Sequence, residues 1–176
     1  MLWVVEKLDG LRSGRDHMQH KGNLRWLWLS FAIIILDQWV KLLAIKHLSL
    51  HSSYAVMPFL NFTLIFNTGT AFSFLSFASG WQIWLFIGLA VIVCSSILIW
   101  MGRIPRQAHW LAISLALIFG GALGNLIDRL YYGYVIDFID VYVKNWHYPT
   151  FNLADSAICV GVIILIIHML LIKSHG

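Results

Sequence analysis

Four apolar stretches dominate the chain, each near the ~20 residues that a helix rising about 1.5 Å per residue needs to cross ~30 Å of hydrocarbon. They run from Arg25 to Leu43, Trp81 to Trp100, Ala108 to Ile127 and Ala154 to Ile172. Lipid offers no water to stray backbone N–H and C=O groups, so segments of this length and polarity fold as helices. Composition agrees: of 176 residues 60% are hydrophobic and only 11% charged, too few charges for a solvated surface. The expected class is an all-α polytopic membrane protein with four transmembrane helices. Trp26, Trp28, Trp81, Trp84, Trp100 and Trp110 sit near span ends, where amphipathic rings favour the headgroup layer.

Basic residues give the orientation. Lys7, Arg12, Arg15, Lys21 and Arg25 precede the first span, Arg103 and Arg106 lie between the second and third, and Lys173 follows the fourth. Only Lys46, Arg129 and Lys144 fall on the other side. The bias places both termini in the cytoplasm and both long loops, about 46–80 and 128–153, outside. The net charge of +4 thus reflects topology rather than a nucleic-acid-binding face. Residues 1–22 read as a cytoplasmic tail and 23–176 as one membrane domain. The first span continues into Asp37 and Lys41 without a small-residue cleavage pattern, so it is expected to be retained.

Neither cysteine, Cys94 or Cys159, falls in an outer loop, and the eight histidines are scattered. No disulfide framework, metal or other cofactor is expected. The outer loops are more than linkers. The run 59–74 alternates Phe62, Leu64 and Phe66 with polar and aliphatic neighbours, and YVIDFIDVYV from Tyr134 to Val143 is rich in β-branched and aromatic residues. Both predict strands of a small sheet lying over the helix ends.

The polar residues in and beside the spans are the functional candidates, since an ionisable group beside hydrocarbon is costly without a partner. Asp37 and Lys41 stand at i and i+4 on one face of the first span. That pair reads as an anchoring ion pair, with Lys41 snorkelling outward, or as support for a nearby polar site. Gly120, Gly121 and Gly124 suit close helix packing. Asn125, Asp128 and Arg129 share a face one turn on, Asp128 and Arg129 otherwise reading as a helix-end pair. Asn152 and Asp155 open the fourth span, where either serves as a cap. Asp137 and Asp140 lie on a strand with opposite faces expected, so only one can point at Asp155; Asp140 reads as a solvated loop acid. Paired carboxyls cannot both ionise cheaply, so two aspartates here suit acid and base roles toward a water.

Four blocks taken together go further. DQWVK (Asp37–Lys41), NTGTAF (Asn67–Phe72), GGALGNLIDR through DFID (Gly120–Asp140) and FNLAD (Phe151–Asp155), in order along four spans, resemble the lipoprotein signal peptidases, the bacterial signal peptidase II family. Thr70 and Ser73 depart mildly from the family pattern, and no acid does. The resemblance implies a four-helix bundle with an extracytoplasmic β-cradle in the bacterial inner membrane. It implies an aspartic endopeptidase that cuts diacylglyceryl-modified prolipoproteins just before the lipidated cysteine, with membrane lipids around it and globomycin-type cyclic peptides as inhibitors. By that match Asp137 and Asp155 are the catalytic pair, and Asp37, Lys41, Asn67, Gly121, Asn125, Asp128, Arg129, Asn152 and Ala154 bind substrate or support the site. The glycine-lined third span and the apolar bundle face are expected to receive acyl chains or the signal helix. A competing reading is a small transporter or channel subunit relaying ions or protons through Asp37, Asp128 and Asp155.

Overall fold

The computed structural model describes residues 22–69 and 81–173. The expectations for most of the N-terminal tail, for Thr70 and Ser73, and for the far end of the 59–74 run lie outside these residues. Four helices are long and apolar enough to span a membrane: α1 (Leu27–His47, entered by a 3-10 turn at Leu24–Trp26), α2 (Trp81–Met101), α3 (His109–Tyr132) and α4 (Leu153–Lys173). Strands β1 (Ser53–Met57), β2 (Leu60–Asn67), β3 (Val135–Val143) and β4 (Trp146–His147) form one antiparallel sheet in sequence order. The four helices and the small sheet expected from the loop segments are both present, so the all-α label is too narrow: the β-branched and aromatic segments pair with one another, and β1 and β4 add strands that no local pattern announces.

α3 is the central helix. Half of its most apolar window is buried, against 11–22% for the other three, and it packs on α1, α2 and α4. Its small residues make this possible. A Cβ on Gly120 would come 3.0 Å from the backbone of Ser30 on α1, and one on Gly124 would come 2.8 Å from Asp37 Oδ2. A Cβ on Gly121 would collide with the carbonyl oxygen of Ala154 at the start of α4. The glycine face is therefore filled by α1 and α4, which corrects the expectation that it receives acyl chains or a signal helix. Outward, Phe31, Ile35, Trp39, Ile92 and Ile163 are exposed, as lipid-facing positions should be.

α3 ends at Gly133, whose left-handed φ of 77° turns the chain into β3 while its N–H donates to Arg129 O at 3.2 Å. In the β2–β3 ladder, Asn61 pairs with Asp140 and Phe62 with Ile139, but then Ile65 pairs with Asp137. One extra β2 residue is bulged out between them. A bulge swaps which side chains of the strand share a face with the partner. Without it Leu64 would oppose Asp137 and Phe66 would share its face; with it, Asn67 does. The sheet rests on the end of α1 through Ala44, Leu64, Ile136 and Phe138. Beyond β4 the chain returns along β3, with Phe151 exchanging backbone hydrogen bonds with Ile139 at 3.1 and 2.8 Å, and Asn152 follows at once.

Gly121→Val should force α4 away from α3 and lower stability by about 1–3 kcal/mol, the usual penalty of overpacking. Gly88→Val, where an added Cβ meets nothing within 4 Å, should leave melting in detergent unchanged. Equal melting temperatures for the two variants would contradict this packing.

Candidate active site

Asp137 and Asp155 arrive from different elements and meet at Asn152. Asp137 projects from β3 and is 2% exposed. Asn67 Nδ2 donates to its Oδ2 at 2.9 Å and Asn152 Nδ2 to its Oδ1 at 2.7 Å. Burial pushes the Asp137 carboxyl up to about 6; the bond from Asn67 opposes the rise and the nearby charge of Asp155 adds to it. Asp155 lies in the first turn of α4 and is half-buried. Asn125 Nδ2 donates to its Oδ1 at 2.7 Å, and the backbone N–H of Asn152 donates to its Oδ2 at 3.2 Å. In return the Asp155 N–H donates to Asn152 Oδ1 at 2.9 Å. This is a reciprocal capping box, so the capping alternative for Asp155 holds together with its place in the site. Asn152 is fully buried and fastens both acids, one through its amide and one through its own backbone.

The next layer is a buried ion cluster. Lys41 Nζ contacts Asp37 Oδ2 and Asp128 Oδ2, each at 2.7 Å, and donates to Asn125 Oδ1 at 3.1 Å. The ammonium's three protons are thus all used. Lys41 is 1% exposed, so it does not snorkel, and Asp128 pairs with it rather than with Arg129. Because an ammonium only donates, the Asn125 oxygen must face Lys41 and its NH₂ must face Asp155. The two carboxylates reach onward. Asp37 Oδ1 accepts the N–H of Ala154 at 2.9 Å, and Asp128 Oδ2 accepts the N–H of Ile136 at 3.2 Å. Each of these amides belongs to the residue immediately before a candidate acid. Gln38, which no sequence pattern singled out, donates from Nε2 to Asp128 Oδ1 at 2.7 Å and to Gly124 O at 3.2 Å. Its only signal was its position inside the DQWVK block.

Asp140 corrects another expectation. It is 4% exposed rather than solvated, accepting from Asn61 Nδ2 at 3.2 Å and Thr63 Oγ1 at 3.3 Å and pairing with His147 Nδ1 at 2.8 Å. These partners are distinct from those of Asp137, as opposite strand faces require. Asp140 therefore ties β2, β3 and β4 together and stands apart from the Asn152 cluster.

Two grooves border Asp155. One of about 280 Å³ runs between α2, α3 and α4, lined by Phe86, Leu89, Ala122, Arg129 and Ile158 among others. The Arg129 guanidinium lies 5.1 Å above the Phe86 ring there. The other, about 300 Å³, is lined by Tyr148, Phe151, Ser156, Cys159 and Val160. Asp155 is common to both. The arrangement thus presents one half-open carboxyl to apolar grooves and keeps a second, harder to ionise, behind it.

Comparison with known proteins matches this architecture. The family model described as signal peptidase (SPase) II matches residues 29–171. The chain is 53% identical over 149 residues to a lipoprotein signal peptidase of Coxiella burnetii, covering 85% of this chain and 91% of that one. It is 55% identical over 145 residues to a lipoprotein signal peptidase of Acinetobacter baylyi, covering 82% and 81%. Among solved structures, a bacterial membrane enzyme determined by the in meso method superposes with a TM-score of 0.78 at 31% identity, covering 89% of this chain and 95% of that one. Aspartates on β3 and on the first turn of α4, an ordered set of polar blocks on four apolar helices, and these likenesses over most of the length lead to one conclusion: this chain belongs to the signal peptidase II family and is a bacterial membrane protease.

Proposed function

We propose that the chain removes signal peptides from diacylglyceryl-modified prolipoproteins, cutting before the lipidated cysteine, with Asp137 and Asp155 as its catalytic pair. The observation that carries the assignment is the joint attachment of both acids to Asn152, with Asp137 buried and Asp155 facing the grooves. Burial, with the neighbouring charge of Asp155 adding to it, raises the Asp137 carboxyl to about 6, which makes Asp137 the member of the pair poised to carry a proton. Asp155, as carboxylate, draws a proton from a water while Asp137 hydrogen-bonds the scissile carbonyl. The tetrahedral centre then collapses as the leaving amine takes a proton from the pair. No covalent acyl intermediate is needed.

Asn125, Asn152 and Asn67 hold the two acids in place, and Arg129 in the first groove is positioned to grip substrate backbone or headgroup oxygens. The grooves on either side of Asp155 give an extended peptide an apolar path past the reacting atoms, with the diacylglyceryl anchor beside it. The basic ends of the helices face the cytoplasm by the charge bias, which puts both termini inside and the sheet, with the acid pair, at the outer surface. A lipid-anchored substrate in the outer leaflet is then concentrated at the site. By family resemblance, globomycin-type cyclic peptides inhibit the enzyme. The transporter alternative finds no support: Asp37, Asp128 and Asp155 gather at one end of the bundle through Lys41, Asn125 and the Ala154 N–H, and the family match is to a protease.

Asp137→Asn and Asp155→Asn should each abolish cleavage of a diacylglyceryl-modified precursor in a gel-shift assay, while Asp140→Asn keeps substantial activity. Full activity in either of the first two variants would refute the pair.

Stability supplies an independent signature. A carboxyl raised from 3.8 to about 6 by folding stabilises the fold fully below its unfolded value and loses that contribution as pH rises through about 6. Relative to the parent, Asp137→Asn should therefore gain stability between pH 4 and pH 8, by up to ~3 kcal/mol, read as a melting-temperature difference that grows with pH. A variant less stable at pH 8 than at pH 4, relative to the parent, would contradict the burial of this acid.

Lys41→Met leaves Asp37 and Asp128 buried together without a counter-charge. The loss of one partner of such a cluster costs roughly 3–5 kcal/mol. Conservative Lys41→Arg should retain more stability but little activity, because a planar guanidinium cannot serve both carboxylates and the Asn125 oxygen from one point.

A further inference from the structure

At the end of the bundle remote from the acid pair, the chain entering α1 is strapped onto the turn between α2 and α3. The Gly22 N–H donates to Ile104 O at 2.8 Å, the Asn23 N–H to Met101 O at 2.8 Å, and Asn23 Nδ2 to Pro105 O at 2.6 Å. These bonds frame a cavity of about 390 Å³ lined by Gly22, Leu24, Arg25, Gly102 and Arg106. Its wall is equally polar and apolar, unlike the largely apolar grooves elsewhere on the molecule.

Positive charge gathers there without a carboxylate partner among the described residues: Arg25, Arg103 and Arg106 all belong to this end, and none forms an ion pair with a described acid. The described acid nearest along the helix, Asp37, is about 18 Å of helical rise from Arg25. Arg25 is nevertheless fixed in place. Its Nη2 donates to Arg106 O at 3.0 Å and lies 3.1 Å from His109 Nδ1. A guanidinium only donates, so His109 Nδ1 accepts, and the remaining donors of Arg25 meet no acceptor among the described residues.

We propose that this cavity is a binding site for the phosphate headgroup of an anionic membrane lipid. Guanidinium donors suit a phosphodiester, and basic pockets between helices at a membrane face attract anionic headgroups. Hydrocarbon adjacency argues for an amphiphile over free phosphate: Leu24 in the cavity wall and Trp28 and Trp110 at the same end are 49%, 61% and 65% exposed. Acyl chains can follow that surface from the headgroup. The site is independent of the catalytic assignment, since it uses none of the same residues.

The test uses the full chain purified in neutral detergent, with native mass spectrometry reading lipid retention. Phosphatidylglycerol should be retained over phosphatidylcholine of the same chains, and R106Q should weaken that retention about fivefold, the usual contribution of one basic residue near a lipid surface. The Arg106 side chain makes no hydrogen bond or ion pair with a described residue, so R106Q should melt and cleave substrate as the parent does. R25Q, which also loses the contacts to Arg106 and His109, should weaken retention at least as much. Equal retention of the two lipids, or retention unchanged in R106Q, overturns the proposal. Displacement of phosphatidylglycerol by equimolar inorganic phosphate would make it a free-phosphate site and overturn the lipid assignment.

Discussion

The ammonium of Lys41 is the point from which the site is built. Taking one lysine and two aspartates out of water is expensive, and a hydrophobic cluster of equal volume often stabilises a fold as well or better. What the cluster supplies instead is position. Asp37 binds the N–H of Ala154 and Asp128 binds the N–H of Ile136, so the backbone just before Asp155 and just before Asp137 is attached to the same charge. The third proton of Lys41 settles which way the Asn125 amide points. Two separate elements, a strand and a helix start, are thereby referred to one atom on α1.

The sheet contributes the other half of the alignment. Asn61, Thr63 and Asn67 are odd-numbered residues of one strand, and simple alternation would send all three to one face. Asp137 and Asp140, three apart on the neighbouring strand, face opposite ways. The β2 bulge reconciles the two patterns, leaving Asn61 and Thr63 to Asp140 and bringing Asn67 to Asp137. Asp140 then acts as a fastener that gathers β2, β3 and β4 from the strand face opposite Asp137.

Much of this was legible in the sequence. Apolar length gave the four spans, helical spacing gave the pairing of Asp37 with Lys41, and the resemblance singled out the polar blocks. The missing parts share a physical cause: they depend on what lies across space. β1 and β4 form only because a neighbouring strand supplies partners. The burial of Asp140 follows from the fold of the β3–β4 hairpin over it, which no local pattern announces. Nothing in GGALG distinguishes a face that admits a ligand from one that admits another helix; the Ala154 carbonyl decides it. Gln38 carried no signal of its own because a single amide beside a helix is as often exposed as engaged.

A protein with lipid as its solvent reverses the usual division between core and active site. Apolar side chains such as Phe31, Ile92 and Ile163 point outward and gain little from leaving hydrocarbon for hydrocarbon, so packing of small residues and satisfied polar contacts must hold the helices together. In this chain those contacts are concentrated where α1, α3 and α4 meet the sheet, around Lys41, Asn125 and Asn152. The network that orients the acids is also the polar glue of the bundle. Under the proposed roles, substitutions in it disturb folding and chemistry together, whereas Asp137, held against its preference to ionise, is the position where removing a charge should separate the two.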